Sequence, residues 1–477
     1  MRSFFAAAFA LVVAACSLQP VYKQPAAPVA AGYPTGPAYR EVSGTTTSAA
    51  DIGWRDLLVD ERLQGLVEIA LKNNRDLRIA ALNVAQFEAQ YRIQRSNLFP
   101  TLNAVAASTV SGSRAPGHNV TTHLYSTDIG TAWTLDFFGR LQSLKDQALQ
   151  QYFATAQAGK ATQILLVAQV ADQYLTMLAA DELLAVTRRT LEAARQSYDL
   201  ARLQFDAGTG TELSLRQAET VVEQAKASYA AQLRSRAQAE NALVVLIGEA
   251  LPGNLPPGQP FNAQRLLADI PAGLPSELME RRPDIIEAEA NLRAQYANIG
   301  AARAAFFPEI SLTAAFGVQS AALDKLFNSR SRVWSFEPSI TQPIFEGGAL
   351  KASLDAAKIQ KETAVAQYEK AIQTAFREVS DGLAARGTYD EQITALEREV
   401  GAQQASLEIA ELRFRSGVDS YLNVLTAQTN LYTAQQTLVS ARLARLTNLV
   451  DLYRALGGGW IERTGDAARP AEGLASR

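Results

Sequence analysis

The chain has 477 residues, with 45 Lys and Arg against 48 Asp and Glu, for a formal charge of −3. So balanced a composition lacks the concentrated basic footprint of a nucleic-acid binder. A single cysteine excludes an intrachain disulfide, and no stretch after residue 16 has the ~20 unbroken apolar residues of a membrane helix, so any crossing of a membrane falls to strands.

The N-terminus opens with Arg2 and an apolar run from Phe4 to Ala15, the layout of a secretory signal peptide over residues 1–15. The run ends in Val13-Ala14-Ala15-Cys16, which resembles a bacterial lipobox. Cys16, the lone cysteine, is then expected to become the acylated first residue of the mature chain. Ser17 stands where an aspartate would favour retention in the inner membrane, so the outer membrane is expected. Residues 16–60, with the proline-rich Pro20–Pro37, read as a lipidated, extended segment.

Residues 61–270 then read as helix, two strands, long helix, short turn, helix. In the strand region Tyr125, Thr127, Ile129, Thr131, Trp133 and Leu135 alternate with Ser126, Asp128, Gly130, Ala132, Thr134 and Asp136. Leu102 to Val110 is a less regular first strand. His118 and His123 fall in or beside the expected turn between the two strands and read as solvated loop residues rather than a metal site. Arg140 to Phe205 contains no proline and one glycine, and is dominated by Ala, Leu, Gln and Arg, all good helix formers. About 65 helical residues make a rod of roughly 95 Å. A compact domain of ~150 residues is much narrower. The helix must therefore leave a globular body and pack against other long helices. Many of its apolar residues are small, among them Ala161, Ala168, Ala171, Ala179 and Ala180, a poor match to the sustained large a/d residues of a two-stranded coiled coil.

Residues 271–460 repeat this unit. Leu203-Gln204-Phe205-Asp206-Ala207-Gly208 matches Leu412-Arg413-Phe414-Arg415-Ser416-Gly417, 209 positions on. Leu213 matches Leu422, Ala218 matches Ala427 and Gly248 matches Gly457; upstream, Phe99-Pro100 matches Phe307-Pro308 and Phe138-Gly139 answers Phe345-Glu346-Gly347-Gly348. A repeat of this length is a duplicated structural unit, since solenoid periods are roughly 20–50 residues. Ile310 to Val318 and Trp334 to Ile340 alternate as the earlier strands do. Alternation suits either a half-buried soluble sheet or a membrane barrel. Four strands cannot close a barrel and open edges are not viable in lipid, so the barrel reading requires several chains to share one. Residues 461–477 read as a flexible tail.

Chemistry is sparse. Gly208-Thr209-Gly210 lacks the third glycine and the preceding strand of a dinucleotide loop, and no nucleophile elbow or paired-carboxylate signature is present. The chain reads as a non-enzyme without cofactors, apart from covalent lipid on Cys16.

Four motifs together carry a family resemblance: Cys16-Ser17 followed by Pro20-Val21-Tyr22, Leu135-Asp136-Phe137-Phe138-Gly139-Arg140, Glu280-Arg281-Arg282-Pro283-Asp284-Ile285, and Ala455-Leu456-Gly457-Gly458-Gly459-Trp460. With them the chain resembles the TolC-like outer membrane factors, in the lipoprotein branch that serves resistance-nodulation-division efflux pumps. The resemblance implies an α+β membrane protein. It would be a homotrimer whose twelve-stranded β-barrel, four strands from each chain, continues into a periplasmic α-helical barrel with a mixed equatorial belt. It implies a periplasmic adaptor, a proton-driven inner-membrane pump and outer-membrane lipid as partners, with most of the chain in the periplasm. The turns at Gly208-Thr209 and Gly417-Val418 are then expected to dock the adaptor. An aspartate after the second hairpin's glycine lines the narrow entrance in that family, and Asp419 stands there. Asp206 and Arg415, equivalent in the repeat but opposite in charge, are expected to complete the gate. Three functions stay open at this level: the exit duct of a tripartite efflux pump, the duct of an ABC-driven type I polypeptide secretion system, and an envelope scaffold without a channel.

Overall fold

The computed structural model describes residues 17–39, 48–115, 118–266 and 275–466. Cys16 lies outside them. Both repeats contribute to each of two compact units: one built from 83–156 and 287–370 with the chain up to residue 27, the other from 28–82, 157–286 and residues from 371 onward.

The first unit holds strands β1 (Thr101–Ala115), β2 (His118–Leu135), β3 (Glu309–Ser320) and β4 (Arg332–Thr341), an antiparallel meander in that order. Opposed residues share a face. Ile129 lies opposite Ala104 and Phe316, Thr131 opposite Leu102 and Ala314, and Phe316 opposite Trp334. The apolar sets of all four strands therefore combine into one continuous apolar face. The other face carries Asp128 opposite Gly317, Thr313 opposite Glu337, and Ser311 hydrogen-bonded to Ser339 at 2.8 Å. Among the described residues the outer edges of β1 and β4 have no partner strand.

One expectation is corrected here. The first hairpin runs further than the sequence suggested: His118 opens β2, and His123 lies inside it, opposite Val110. The β-branched Val120, Thr121 and Thr122 sustain the extended backbone past the anticipated turn. Residues 17–24 are fastened along the helices of this unit: Gln19 donates to Ser143 and Asp146, the Tyr22 hydroxyl donates to Glu289 at 2.8 Å, and Gln24 donates to the Tyr368 hydroxyl at 3.1 Å.

Seven helices of more than ten residues are described: α1 (Glu61–Asn73), α2 (Arg75–Ser96), α3 (Arg140–Asp206), α4 (Glu212–Ile247), α5 (Pro283–Ala304), α6 (Ala349–Arg415) and α7 (Tyr421–Ala455). Helices α3 and α6 have 67 residues each, about 100 Å of rise. In the second unit the repeat extends to side-chain bonds. Arg236 meets Asp181 at 2.6 Å, and 209 positions later Arg445 meets Asp390 at 2.7 Å, each pairing neighbouring helices. Two hubs hold this unit. Buried Asp60 accepts from Arg62 N and Leu63 N at the start of α1, from the Tyr174 hydroxyl, from Gln259 N and from Gln264. Buried Arg282 donates to Asp284, Glu378 and the Ala455 carbonyl.

The C-terminal expectation also changes. Residues 461–464 are tied to the start of the chain: Trp54 N donates to Ile461 O at 3.0 Å, Arg55 N to Glu462 O at 3.1 Å, and Thr464 N to Asp56 at 2.7 Å. The free amides at the N-terminus of the short helix Trp54–Leu57 supply partners that composition does not reveal. Residues 467–477 lie outside the described residues.

Candidate functional site: the helical hairpin turns

Helices α3 and α4, and again α6 and α7, are joined by turns of a few residues. Each turn is built by a glycine with left-handed backbone, Gly208 at φ 72° and Gly417 at φ 71°. A side chain would be strained there. Around each glycine the hydrogen bonds are those of a Schellman motif. Gly208 N donates to Phe205 O and Thr209 N to Gln204 O, both at 2.9 Å; Gly417 N donates to Phe414 O and Val418 N to Arg413 O, both at 3.0 Å. The first turn adds an N-cap, with the Thr211 hydroxyl accepting from Ser214 N at 3.2 Å. The second turn instead packs Phe414 against Tyr421, ring centres 5.3 Å apart.

The charges divide into local pairs. Asp206 faces Arg202 at 3.9 Å, and Arg415 faces Glu411 at 3.4 Å. These are equivalent pairs with their signs exchanged. Asp419 accepts from Arg413 at 2.5 Å across the turn, and that bond holds its carboxyl below the usual carboxylate range. Within the chain Asp206 and Arg415 are not bonded to each other, so each expected gate charge has its own partner: Arg202, Glu411 and Arg413. None of these three was singled out from the sequence. Arg202 and Glu411 could have been, as opposite charges at i,i+4.

A second feature was legible only as repetition. Leu203, Leu213, Leu412 and Leu422 sit at equivalent places beside the two turns and are 67%, 67%, 66% and 52% exposed, with Val418 64% exposed. Beneath them Ala201, Ala218, Leu407, Tyr421, Val424, Ala427 and Leu431 form a buried cluster that joins the two hairpins. The hairpin ends thus offer a pinned backbone, apolar side chains without cover in the chain, and charges held by short-range pairs.

The model of the outer membrane efflux protein family matches residues 66–249 and 274–458. The chain is 48% identical over 469 residues to a probable efflux pump outer membrane protein, TtgC, of Pseudomonas putida, covering 97% of this chain and 96% of that one. It is 44% identical over 460 residues to outer membrane protein OprJ of Pseudomonas aeruginosa, covering 95% of each. Among solved structures it is similar to the open state of the MtrE outer membrane channel of Neisseria gonorrhoeae, with TM-score 0.84, 40% identity, and 94% and 100% of the two chains covered. It is also similar to the CmeC outer membrane channel of Campylobacter jejuni, with TM-score 0.85, 26% identity, and 95% and 97% covered.

Proposed function

The chain belongs to the outer membrane efflux protein family, and we propose that three copies of it form the passive exit duct of a tripartite pump that expels small molecules. The observation that carries this reading is the four-stranded sheet, apolar on one face and polar on the other, with both outer edges unpaired among the described residues. Unpaired strand edges are not viable in lipid. Twelve strands from three chains remove every edge, put the apolar face toward lipid and leave a lumen lined by the polar face.

Cys16 carries acyl chains that add a second membrane anchor. The turns at Gly208-Thr209 and Gly417-Val418 dock a periplasmic adaptor, which links the duct to a proton-driven inner-membrane pump. The exposed leucines and Val418 supply the apolar contacts. Asp419, Arg415 and Asp206 line the closed periplasmic entrance. Their partners Arg413 and Arg202 are exposed and Glu411 is half-exposed, so contacts with an adaptor can exchange for them at modest cost.

Single-channel conductance of the purified protein in planar bilayers tests the duct and the gate together. Asp206→Ala or Arg415→Ala is expected to raise the conductance of the closed state, and Asp419→Ala to weaken cation selectivity. A parent protein that inserts without conducting would refute the duct. Unchanged conductance and selectivity in all three variants would refute the gate alone.

A further inference from the structure

Charge sign follows the faces of the sheet. On the strands' polar face the charged residues are carboxylates, Asp128, Glu309 and Glu337. On the apolar face they are Arg332, at the start of β4, and Arg114, further out along the first hairpin. Arg332 lies opposite Val318 and one same-face step, about 7 Å, before Trp334. Trp334 is 77% exposed on the face turned to lipid, and aromatics of that kind mark the headgroup level of membrane barrels. An arginine one step beyond such a tryptophan stands at the depth of lipid phosphates.

The β3–β4 connection adds to it. Lys325 and Arg330 are exposed, and the Ser331 hydroxyl donates to Lys325 O at 2.8 Å, folding the connection back on itself. Phe327 in the same connection is 80% exposed. Among the described residues Lys325, Arg330 and Arg332 form no ion pair, while Asp324 is the sole carboxylate between β3 and β4. Bare cations beside a bare aromatic, continuous with a lipid-facing surface, lack an anionic partner with an apolar body.

We propose that Lys325, Arg330 and Arg332 bind the phosphate groups of the phosphorylated glycolipid that forms the outward-facing leaflet of an outer membrane. Arginine's planar fork matches phosphate in two-point contact, and basic residues at a membrane surface are drawn to anionic headgroups. The inference rests on the barrel reading above, which puts the apolar face in lipid and the β3–β4 connection on the outer side.

Native mass spectrometry of the full-length protein in detergent tests it, with bisphosphorylated lipid A and chemically dephosphorylated lipid A as competing probes. The bisphosphorylated form should be retained at least about tenfold more strongly. Arg330→Gln with Arg332→Gln should bring its retention down to that of the dephosphorylated lipid, while planar-bilayer conductance stays as in the parent. Equal retention of the two lipids by the parent, or undiminished retention by the double variant, would overturn the proposal. If the double variant does not assemble, the parent's lipid preference decides the matter alone. A parent that conducts without preferring phosphorylated lipid refutes this inference and leaves the duct intact, whereas a parent that neither inserts nor conducts refutes the duct.

Discussion

Replacing Arg282 with methionine keeps the aliphatic stem and removes the guanidinium. In the folded chain that side chain is 6% exposed. Its Nε and Nη2 reach the two Asp284 oxygens at 3.0 and 2.6 Å, while Nη1 reaches Glu378 at 2.9 Å and Ala455 O at 2.9 Å. Burial is the largest influence on the guanidinium and opposes its charge. The bonds and charges of Asp284 and Glu378 outweigh it, so its pKa lies above the ordinary value. In Arg282→Met, Glu378 and the Ala455 carbonyl lose their donor at a site with little water. Removing one member of a buried pair costs about 3–5 kcal/mol. Asp284 is 43% exposed and water can take over its share, so about 3 kcal/mol is expected. Arg282→Lys should recover less than half of this, because an ammonium cannot form the two-point contact. Guanidinium unfolding of detergent-solubilised protein, followed by far-UV circular dichroism, reads the change as a lower midpoint at constant slope. Equal protein concentrations are required, since assembly adds its own stabilisation. A loss below about 1 kcal/mol in Arg282→Met would refute the argument that this residue ties the start of α5 to α6 and the end of α7.

Asp172 on α3 has a buried Oδ1 without a hydrogen-bond partner, and burial pushes its carboxyl up to about 7, with Asp451 adding to the shift and Arg454 opposing it. A carboxyl whose folded pKa exceeds its unfolded value of about 3.9 gives its full stabilisation below pH ~4 and loses it as pH rises through 7. The unfolding midpoint should therefore fall between pH 5 and 8, and Asp172→Asn should flatten that slope; an identical slope in the variant would count against it. The two hairpins should also differ in local stability. Asp206 puts negative charge at the C-terminus of α3, where the helix dipole disfavours it, whereas Arg415 puts favoured positive charge at the end of α6. The Thr209 amide, bonded to Gln204 O, should then exchange with solvent faster than the Val418 amide, bonded to Arg413 O. Hydrogen exchange read by mass spectrometry checks the order, and faster exchange at Val418 would refute it.

The parts of this protein visible in its sequence are those governed by short periods. Alternation along Tyr125 to Leu135 and Trp334 to Ile340 depends on pleat geometry alone, and the register of β1 to β4 placed each set on one face. The turns at Gly208 and Gly417 were legible for the same reason, and their left-handed backbone follows because a chain that reverses between two helices within a few residues needs such a residue at the helix end. Strand ends were less legible: threonine-rich segments such as 120–122 serve both turn and strand, and pairing with β1 decides between them.

What stayed hidden depends on separations that no local period contains. Arg282 and Glu378 are 96 positions apart, and Trp54 meets Ile461 across nearly the whole chain. The gate charges show the limit most clearly. Equivalence in the repeat identified Asp206 and Arg415 as opposite, but the contacts each makes follow helix geometry, which brings i and i+4 together before any neighbouring hairpin can compete. Arg413 reaches Asp419 only because the Schellman turn folds six residues back on themselves. A gate assembled from such charges must first release bonds each hairpin already makes. In the proposed gate the closed state depends on the difference between local pairs and pairs between hairpins, each an exposed pair worth about 0–1 kcal/mol.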